Sequence, residues 1–232
     1  MKIGGLQKLT LVDYPDKIAA TVFLTGCNFK CGFCHNQDLV RFDLVLIQPE
    51  ISESDFFSFL DSKIGLIDGI CITGGEPTIN LDLMDFIKKI KAKGFLIKLD
   101  TNGSNPEMLQ RLIQEKMIDF IAMDIKTSQE KYEKAINAKI DLEKIKKSVD
   151  LIKNSGIDYE FRTTVVPGLV EKEDIEKIGE WLKGAKKIVL QQFRNQKVLD
   201  KKFELVLPYS DETLKEFGKI LEKSIERIEL RI

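Results

Sequence analysis

The sequence predicts an α/β fold in which about six strand–helix units contribute to a parallel sheet. Short apolar runs alternate along the chain with longer segments of helical periodicity, which is typical of βα units joined by crossover connections. The chain has 232 residues, 43% hydrophobic and 31% charged, which is enough for one large core. No linker, repeat or low-complexity tract interrupts the alternation. We therefore expect residues 1–232 to form a single domain.

Seven segments are predicted to be strands. The first two flank the turn Asp13-Tyr14-Pro15-Asp16, whose residue types favour a hairpin. The other five are apolar runs, each placed between segments with helical spacing. The predicted strands span residues 2–12, 17–24, 67–73, 95–100, 118–126, 158–168 and 186–193.

Six segments have the apolar spacing of amphipathic helices. The second is expected to end at Gly94, because glycine commonly follows the last helical turn. The third begins with Asn105 as a capping residue and Pro106 at the first helical position. The predicted helices span residues 53–63, 81–94, 105–116, 141–156, 173–184 and 211–224.

The motifs with chemical potential all follow predicted strands. In parallel α/β folds, ligands bind at the carboxyl ends of the strands, where loops and helix N-termini meet. The strand predictions depend only on apolar patterning, so this coincidence is independent evidence for one shared site. In chain order, the motifs are a cysteine-rich loop at 26–36, GGEPT at 74–78, DTNG at 100–103, MDIKT at 123–127, VVPG at 165–168 and QQFRNQ at 191–196.

Charge and hydropathy exclude two classes of partner. Lys and Arg total 36 against 37 Asp and Glu, so no basic field is available for nucleic acid. The longest apolar run, IAATVFL, is too short to span a membrane, and the first residues contain no apolar export signal. We expect a cytoplasmic protein with neither a nucleic acid nor a membrane as partner.

Three cysteines, Cys27, Cys31 and Cys34, lie in one loop with C-x3-C-x2-C spacing. Structural zinc prefers four tetrahedral ligands, and His35 directly follows Cys34, which makes joint binding of one ion awkward. Cys71 lies in an apolar run, where a free cysteine is usually a small buried hydrophobe. A disulfide framework is unexpected with so few cysteines in a chain of this length. An iron–sulfur cube held by three thiolates would keep one iron open to a small molecule.

The cysteine loop resembles the signature of the radical S-adenosyl-L-methionine (SAM) enzymes. This resemblance implies a single [4Fe-4S] cluster on Cys27, Cys31 and Cys34, SAM bound at the open iron, and an open partial TIM barrel. GGEP resembles the glycine motif of these enzymes, which binds the amino group of SAM, and a carboxylate at Glu76 could face that amine. The residues that the resemblance implies near SAM in these two motifs are Phe33, His35, Gly74, Gly75 and Glu76.

DTNG and MDIK resemble motifs of the glycyl-radical enzyme activating enzymes. Strand-end aspartates also cap turns, so a structural role is the alternative. The resemblance implies a monovalent cation near Asp100, Thr101 and Asp124, beside the SAM carboxylate. Lys126 would lie on the same strand face as Asp124 and contact that carboxylate. Arg162 and Gln191, on later strands, are candidates for contact with either SAM or the substrate.

The chain as a whole resembles the activating proteins of anaerobic ribonucleoside-triphosphate reductases, most clearly in the opening GGLQKLTLVDYP. This resemblance implies reductive SAM cleavage and hydrogen abstraction from a glycine of the partner reductase. The alternatives are the activase of another glycyl-radical enzyme, of the pyruvate formate-lyase type, or a small-molecule radical SAM enzyme such as a deazaguanine synthase. Four cysteines provide for one cluster, so a separate flavodoxin or ferredoxin would donate electrons. We expect the irregular segment 194–210 to dock on the partner.

Overall fold

A computed structural model describes residues 1–41 and 50–232 and arranges eight strands in a single sheet in chain order. All seven predicted strands are present, with ends that differ by a few residues. The strands are β1 (Ile3–Thr10), β2 (Ala19–Leu24), β3 (Gly69–Gly74), β4 (Leu96–Thr101), β5 (Phe120–Asp124), β6 (Asp158–Val165), β7 (Lys187–Gln192) and β8 (Arg227–Arg231).

The six predicted helices are also present, and two short helices near the site were not predicted. None of the described helices has the length and apolar character needed to cross a membrane. The helices are α1 (Gln37–Val40), α2 (Glu53–Asp61), α3 (Leu83–Lys91), α4 (Pro106–Gln114), α5 (Tyr132–Ile136), α6 (Leu142–Lys153), α7 (Lys172–Trp181) and α8 (Asp211–Leu221).

The sheet topology confirms the predicted fold class. β1 pairs antiparallel with β2, and every later pair from β2–β3 to β7–β8 is parallel. No pairing joins β1 to β8 among the described residues, so the sheet is not closed. An open parallel sheet of this kind directs the carboxyl ends of its parallel strands to one rim.

The final strand, β8, was missed in the sequence because its inward positions are charged. Glu229 and Arg231 pair with each other and with side chains of β6 and β7 on the inner face of the sheet. Ile228 and Leu230 face α8, where both lie close to Gly218. A five-residue strand with only two apolar residues carries little hydrophobic signal in the sequence.

The two faces of the sheet differ in chemistry. The outer face packs against the helices and forms the hydrophobic core, which includes Ile70, Leu99, Phe161 and Ile188. The inner face is lined by polar side chains, including Lys98, which is almost completely buried. A full TIM barrel fills this space with branched apolar residues, so the polar interior here marks the inner face as the place for a site.

Candidate active site

One cavity, with a volume of about 280 Å³, lies at the carboxyl rim of the parallel strands. Loops after β2, β3, β4 and β5 and inward side chains of β6 and β7 contribute to its wall. The structure therefore brings all twelve predicted site residues together around one space. They are Cys27, Phe33, Cys31, Cys34, His35, Gly74, Gly75, Glu76, Asp100, Thr101, Asp124 and Lys126.

The three loop cysteines lie on the cavity wall, and none is in a disulfide. The backbone N–H of Cys34 donates to the Cys31 carbonyl at 3.0 Å. This turn holds Cys31 and Cys34 close together. Burial raises the pKa of Cys27 to about 12 and that of Cys31 to about 11. Thiols in this environment stay protonated until a metal displaces the proton.

The cysteine loop is braced by the segment after β7. The backbone N–H of Leu199 donates to the Cys34 carbonyl at 3.0 Å, and that of Asp200 donates to the Gly32 carbonyl at 2.8 Å. The Phe203 ring contacts Phe33 edge-on with centroids 6.1 Å apart. A side chain at Gly32 would lie 2.4 Å from the Phe203 ring, so glycine is required at this contact.

This brace changes the interpretation of segment 194–210. We expected the whole segment to be available for a partner, whereas residues 199–203 pack on the cysteine loop. Only the end of the segment presents an apolar surface, because Leu205 and Leu207 are 84% and 80% exposed. An apolar docking contact on this segment would therefore be made by that end.

Cys71 lies apart from the three loop cysteines. It is on β3, 1% exposed, and it does not line the cavity. Its thiol contacts Lys98 Nζ at 3.6 Å and Asp100 Oδ1 at 3.8 Å. This placement agrees with the prediction of a buried strand cysteine.

The GGEP turn brings backbone rather than side chains close to the cysteine loop. Gly74 has a φ of +118°, a conformation that favours glycine. A Cβ at Gly75 would lie 1.9 Å from the Gly26 carbonyl oxygen, so no other residue fits there. Asn36 donates from Nδ2 to the Gly74 carbonyl at 2.7 Å and so joins the turn to the loop that follows Cys34.

Glu76 lies in the cavity wall, but its carboxylate is already engaged by the protein. Oε1 accepts the N–H and the hydroxyl of Thr78 at 3.0 and 2.5 Å and the Thr101 hydroxyl at 2.7 Å. Oε2 accepts the backbone N–H of Asn102 at 2.6 Å. Burial raises the pKa of Glu76, although these four donors favour its charged form. The side chain therefore ties the β3 turn to the β4 turn from within the cavity wall, and its contact to the amine of SAM stays a prediction.

Asp100 and Asp124 belong to a chain of ion pairs across the inner face. Arg162 bridges them, donating from Nη1 to Asp100 at 2.9 Å and from Nε to Asp124 at 2.8 Å. Lys126 Nζ contacts the other oxygen of Asp124 at 2.8 Å, and Lys98 donates to the other oxygen of Asp100. Burial alone would raise the pKa of both carboxyls, but the neighbouring cations lower it.

A monovalent cation does not fit between these carboxylates as they stand. Each of the four oxygens already accepts from a cationic nitrogen, and the carboxylates are mutually joined through Arg162. A metal ion bound to any of these oxygens would lie close to the cationic nitrogen from which that oxygen already accepts. The expected cation is therefore at odds with the arrangement of this chain's own side chains.

The remaining predicted residues occupy different parts of the wall. Phe33 is buried under the cysteine loop, whereas His35 is exposed, so the cavity communicates with the surface. Part of the His35 ring is nevertheless shielded from water by the loop, and this desolvation lowers its pKa and favours the neutral imidazole. Gln191 lines the cavity from β7, close in register to Thr164 of β6.

The donor set fits a cluster with three thiolates. Within residues 1–41 and 50–232, no three histidine, cysteine or acidic side chains converge closely enough to bind a single metal ion. In an iron–sulfur cube, each thiolate binds a different iron, so the sulfur atoms face a shared space without meeting at one point. Three cysteines on one cavity, beside a glycine turn and a lysine, match that requirement.

A family model described as the radical SAM superfamily matches residues 21–182. The chain belongs to the radical SAM superfamily. MJ1227 of Methanocaldococcus jannaschii, whose name places it among the glycyl-radical enzyme activating enzymes, is 36% identical over 99% of this chain and 95% of its own length. The pyruvate formate-lyase-activating enzyme of Clostridium pasteurianum is 27% identical over 81% of this chain and 78% of its own. This radical SAM enzyme is therefore a member of the glycyl-radical enzyme activating family.

The fold agrees with this assignment. A domain of the pyruvate-formate lyase-activating enzyme from Bacteroides vulgatus has a TM-score of 0.55 to this chain at 18% identity, covering 69% of this chain and 98% of that one. An identity this low shows the fold alone. Radical SAM enzymes use a [4Fe-4S] cluster and SAM, so both are cofactors of this enzyme.

Several residues that organise this radical SAM site were not predicted. Lys98 was hidden in an apolar run, and Asn102 carries no signal beyond its place after Thr101. Asn102 donates to Asn28 Oδ1 at 3.0 Å and lies 3.8 Å from Cys27 Sγ, so it joins the β4 turn to the cysteine loop. Alternation along β4 could have revealed that Lys98 shares a face with Asp100.

Proposed function

We propose that this enzyme generates the glycyl radical of an anaerobic ribonucleoside-triphosphate reductase. The opening segment carries the choice of partner, because GGLQKLTLVDYP is the part most similar to the activators of those reductases. In the fold this segment packs against the helix that follows the cysteine loop, since a Cβ at Gly4 would lie 2.5 Å from Leu39. The choice of partner is supported by the sequence similarity of the segment.

The cofactors would supply the radical chemistry, and the chain would supply binding and orientation. With the cluster and SAM bound, one electron from a donor would supply the reductive cleavage of SAM, and the net products would be methionine, 5′-deoxyadenosine and a glycyl radical on the partner. Cys27, Cys31 and Cys34 would hold three irons of the cluster. Lys126, which lines the same cavity, would face the SAM carboxylate.

The electron donor would be a separate protein. Of the four cysteines in the sequence, three lie in the loop and Cys71 is buried on β3. A second cluster would need further thiolates. A flavodoxin or ferredoxin in the cytoplasm would therefore reduce the cluster.

The geometry of the rim supports a macromolecular substrate. Hydrogen transfer needs close approach of the reacting atoms in a site that excludes water. The cavity lies at the strand rim and is exposed at His35, so a loop of another protein could enter and close it. The partner would thus complete the enclosure of its own glycine.

The experiment is an anaerobic activation assay with the reconstituted enzyme, SAM, a reductant and purified anaerobic ribonucleotide reductase from the same organism. We expect a glycyl-radical doublet in the electron paramagnetic resonance spectrum of the reductase and formation of 5′-deoxyadenosine. Cleavage of SAM with no radical on the reductase would contradict the proposed partner.

A second candidate partner is a glycyl-radical enzyme of the pyruvate formate-lyase type. The observation in its favour is the similarity to the pyruvate formate-lyase-activating enzyme of Clostridium pasteurianum. The same assay with pyruvate formate-lyase in place of the reductase distinguishes the two. A radical on that enzyme alone would select it, and a small-molecule product formed without any partner would exclude both.

A further inference from the structure

Lys98 is a buried lysine directly beneath the cavity. Its residue is 1% exposed, and it precedes Asp100 by two positions on β4, so both side chains lie on the inner face. Its ammonium donates to Asp100 Oδ1 and lies 3.6 Å from Cys71 Sγ. A charged group so deeply buried is costly unless it is paired, which makes Asp100 its necessary partner.

The charges around Asp100 and Asp124 already include one more cation than anion. Lys98, Arg162 and Lys126 contribute three positive charges, and the two carboxylates contribute two negative charges. The surplus of three minus two is the one positive charge that a bound monovalent metal would otherwise provide. A metal ion added to this cluster would raise the surplus to two and would find no oxygen without a cationic donor.

We infer that Lys98 is a built-in cation that replaces a monovalent metal at the carboxylate pair, so that SAM binds here without Na⁺ or K⁺. Lys98 neutralises Asp100 on the side away from the cavity. Arg162 can then bridge the two carboxylates, and Lys126 lies on the cavity wall. Lys98 is thus a positioning residue. The consequence for SAM rests on the proposed SAM site, whereas the replacement of the metal depends only on the ion pairs.

The first experiment uses the protein without its cluster, so it is independent of SAM. Melting temperatures are measured in KCl, NaCl and choline chloride at equal ionic strength, so that screening is the same. The native protein should melt at the same temperature in all three salts. Lys98→Met removes the cation beneath Asp100, and this variant should be stabilised by K⁺ or Na⁺ relative to choline.

Lys187→Met is the matched control. Lys187 is also an inward lysine between two carboxylates, lying 2.9 Å from Glu160 and 2.8 Å from Glu229, but it contacts neither Asp100 nor Asp124. Its loss should lower the melting temperature equally in the three salts. Alkali-ion stabilisation of Lys187→Met equal to that of Lys98→Met would show a general salt effect and overturn the inference.

The second experiment measures SAM affinity with the cluster-loaded protein. The native enzyme should bind SAM equally well in all three salts. Lys98→Met should bind SAM about tenfold more weakly in choline, the scale of one charge contact, and K⁺ or Na⁺ should restore much of that loss. Weaker SAM binding by the native enzyme in choline would overturn the inference, as would normal, salt-independent binding by Lys98→Met.

The two experiments separate this inference from the proposed function. Absence of SAM binding in every salt would contradict the proposed function, while the melting temperatures would still test Lys98. If Lys98→Met does not fold, the native protein decides, because alkali-ion stabilisation of the native protein is incompatible with a built-in cation.

Discussion

Individual residues in this site matter for the space they fill and the partners they bind, as well as for any reaction they take part in. Gly75 leaves room for the Gly26 carbonyl. The Glu76 carboxylate accepts hydrogen bonds that join the turn after β3 to the turn after β4. Lys98 pairs with Asp100, near which a monovalent cation was expected. These three residues therefore shape the site through packing, hydrogen bonding and charge pairing.

The cysteines give the first residue-scale prediction. Replacing Cys27, Cys31 or Cys34 by Ala should abolish the cluster, because each thiolate is expected to hold one iron. Cys71→Ala should keep the cluster, since Cys71 is outside the cavity. Iron and sulfide content after anaerobic reconstitution measures both outcomes. An equal loss of iron in Cys71→Ala would show that Cys71 is a ligand.

Glu76 gives the second residue-scale prediction. Glu76→Ala should weaken SAM binding but preserve iron content, because the β3 and β4 turns lose the acceptor that joins them. Four donors, from Thr78, Thr101 and Asn102, would be left unsatisfied, which typically costs about 1–3 kcal/mol per buried group before relaxation. SAM affinity and iron content are measured on the same sample. Iron loss as large as in the Cys27, Cys31 or Cys34 variants would mean that Glu76 supports the cluster itself.

At the scale of elements, the site is assembled mainly by contacts among the segments that connect the strands. The segment after β7 braces the cysteine loop through Leu199, Asp200 and Phe203, and its end exposes Leu205 and Leu207. The loop after β5 is joined to the start of α7 through Asp174. Each connection therefore has a separate role that substitutions can isolate.

The exposed end of the segment after β7 gives an element-scale prediction. Changing Leu205 and Leu207 together to Ser should lower the glycyl-radical yield on the partner, because an apolar contact at the rim is lost. SAM cleavage without a partner should persist. Ile64→Ser with Leu66→Ser, in the exposed turn between α2 and β3 and outside the cavity, is the control. Equal loss of both activities in the rim variant would place Leu205 and Leu207 in the SAM site instead.

Asp174 gives a prediction about the joint between β5 and α7. Its buried carboxylate accepts from Ser128 at 2.6 Å, Lys131 at 2.6 Å and the Glu171 N–H at 2.9 Å. Burial alone would raise the pKa of Asp174, but these donors lower it below its ordinary value of 3.8. Its stabilising effect should be fully present above that value and be lost as pH falls through the folded pKa. Asp174→Asn should therefore reduce the acid sensitivity of unfolding in urea, and an unchanged pH profile would contradict this.

For the whole molecule, the contrast between an apolar outer face and a charged inner face explains both stability and function. The inner charges are paired across strands, and β8 is attached through Glu160, Lys187, Glu229 and Arg231. This network holds the last strand of an unclosed sheet. Its charges lie on the same face as the ion pairs of the site.

Substitution of Glu160 tests whether the charged inner face stabilises the fold. It is 1% exposed and contacts Lys187 at 2.9 Å and Arg231 at 3.2 Å. Glu160→Ala leaves two cations without this partner and should destabilise the protein by about 3–5 kcal/mol in urea unfolding. Glu143→Ala, which removes an exposed partner of Lys146, should have little effect. Equal stability of the two variants would show that the inner network does not hold β8.

The sequence by itself determined the alternating α/β fold with its parallel sheet and the motifs that follow the predicted strands. These features follow from apolar periodicity and from local motifs such as the cysteine loop and GGEP, which are visible within short windows. Seven of the eight strands in residues 1–41 and 50–232 were predicted in this way. β8 was missed because its inward residues are charged and its apolar signal is short.

Only the tertiary structure decided how those residues use their atoms. Whether Glu76 faces a ligand or the Thr78, Thr101 and Asn102 donors depends on the approach of two turns 25 residues apart in the chain. The pairing of Asp100 with Lys98 and of both aspartates with Arg162 depends on the register of β4, β5 and β6. A carboxylate has the same sequence signature whether it binds a metal, a lysine or a backbone amide. Its partner is selected by the distances that long-range packing imposes, and those distances are not encoded in any local window.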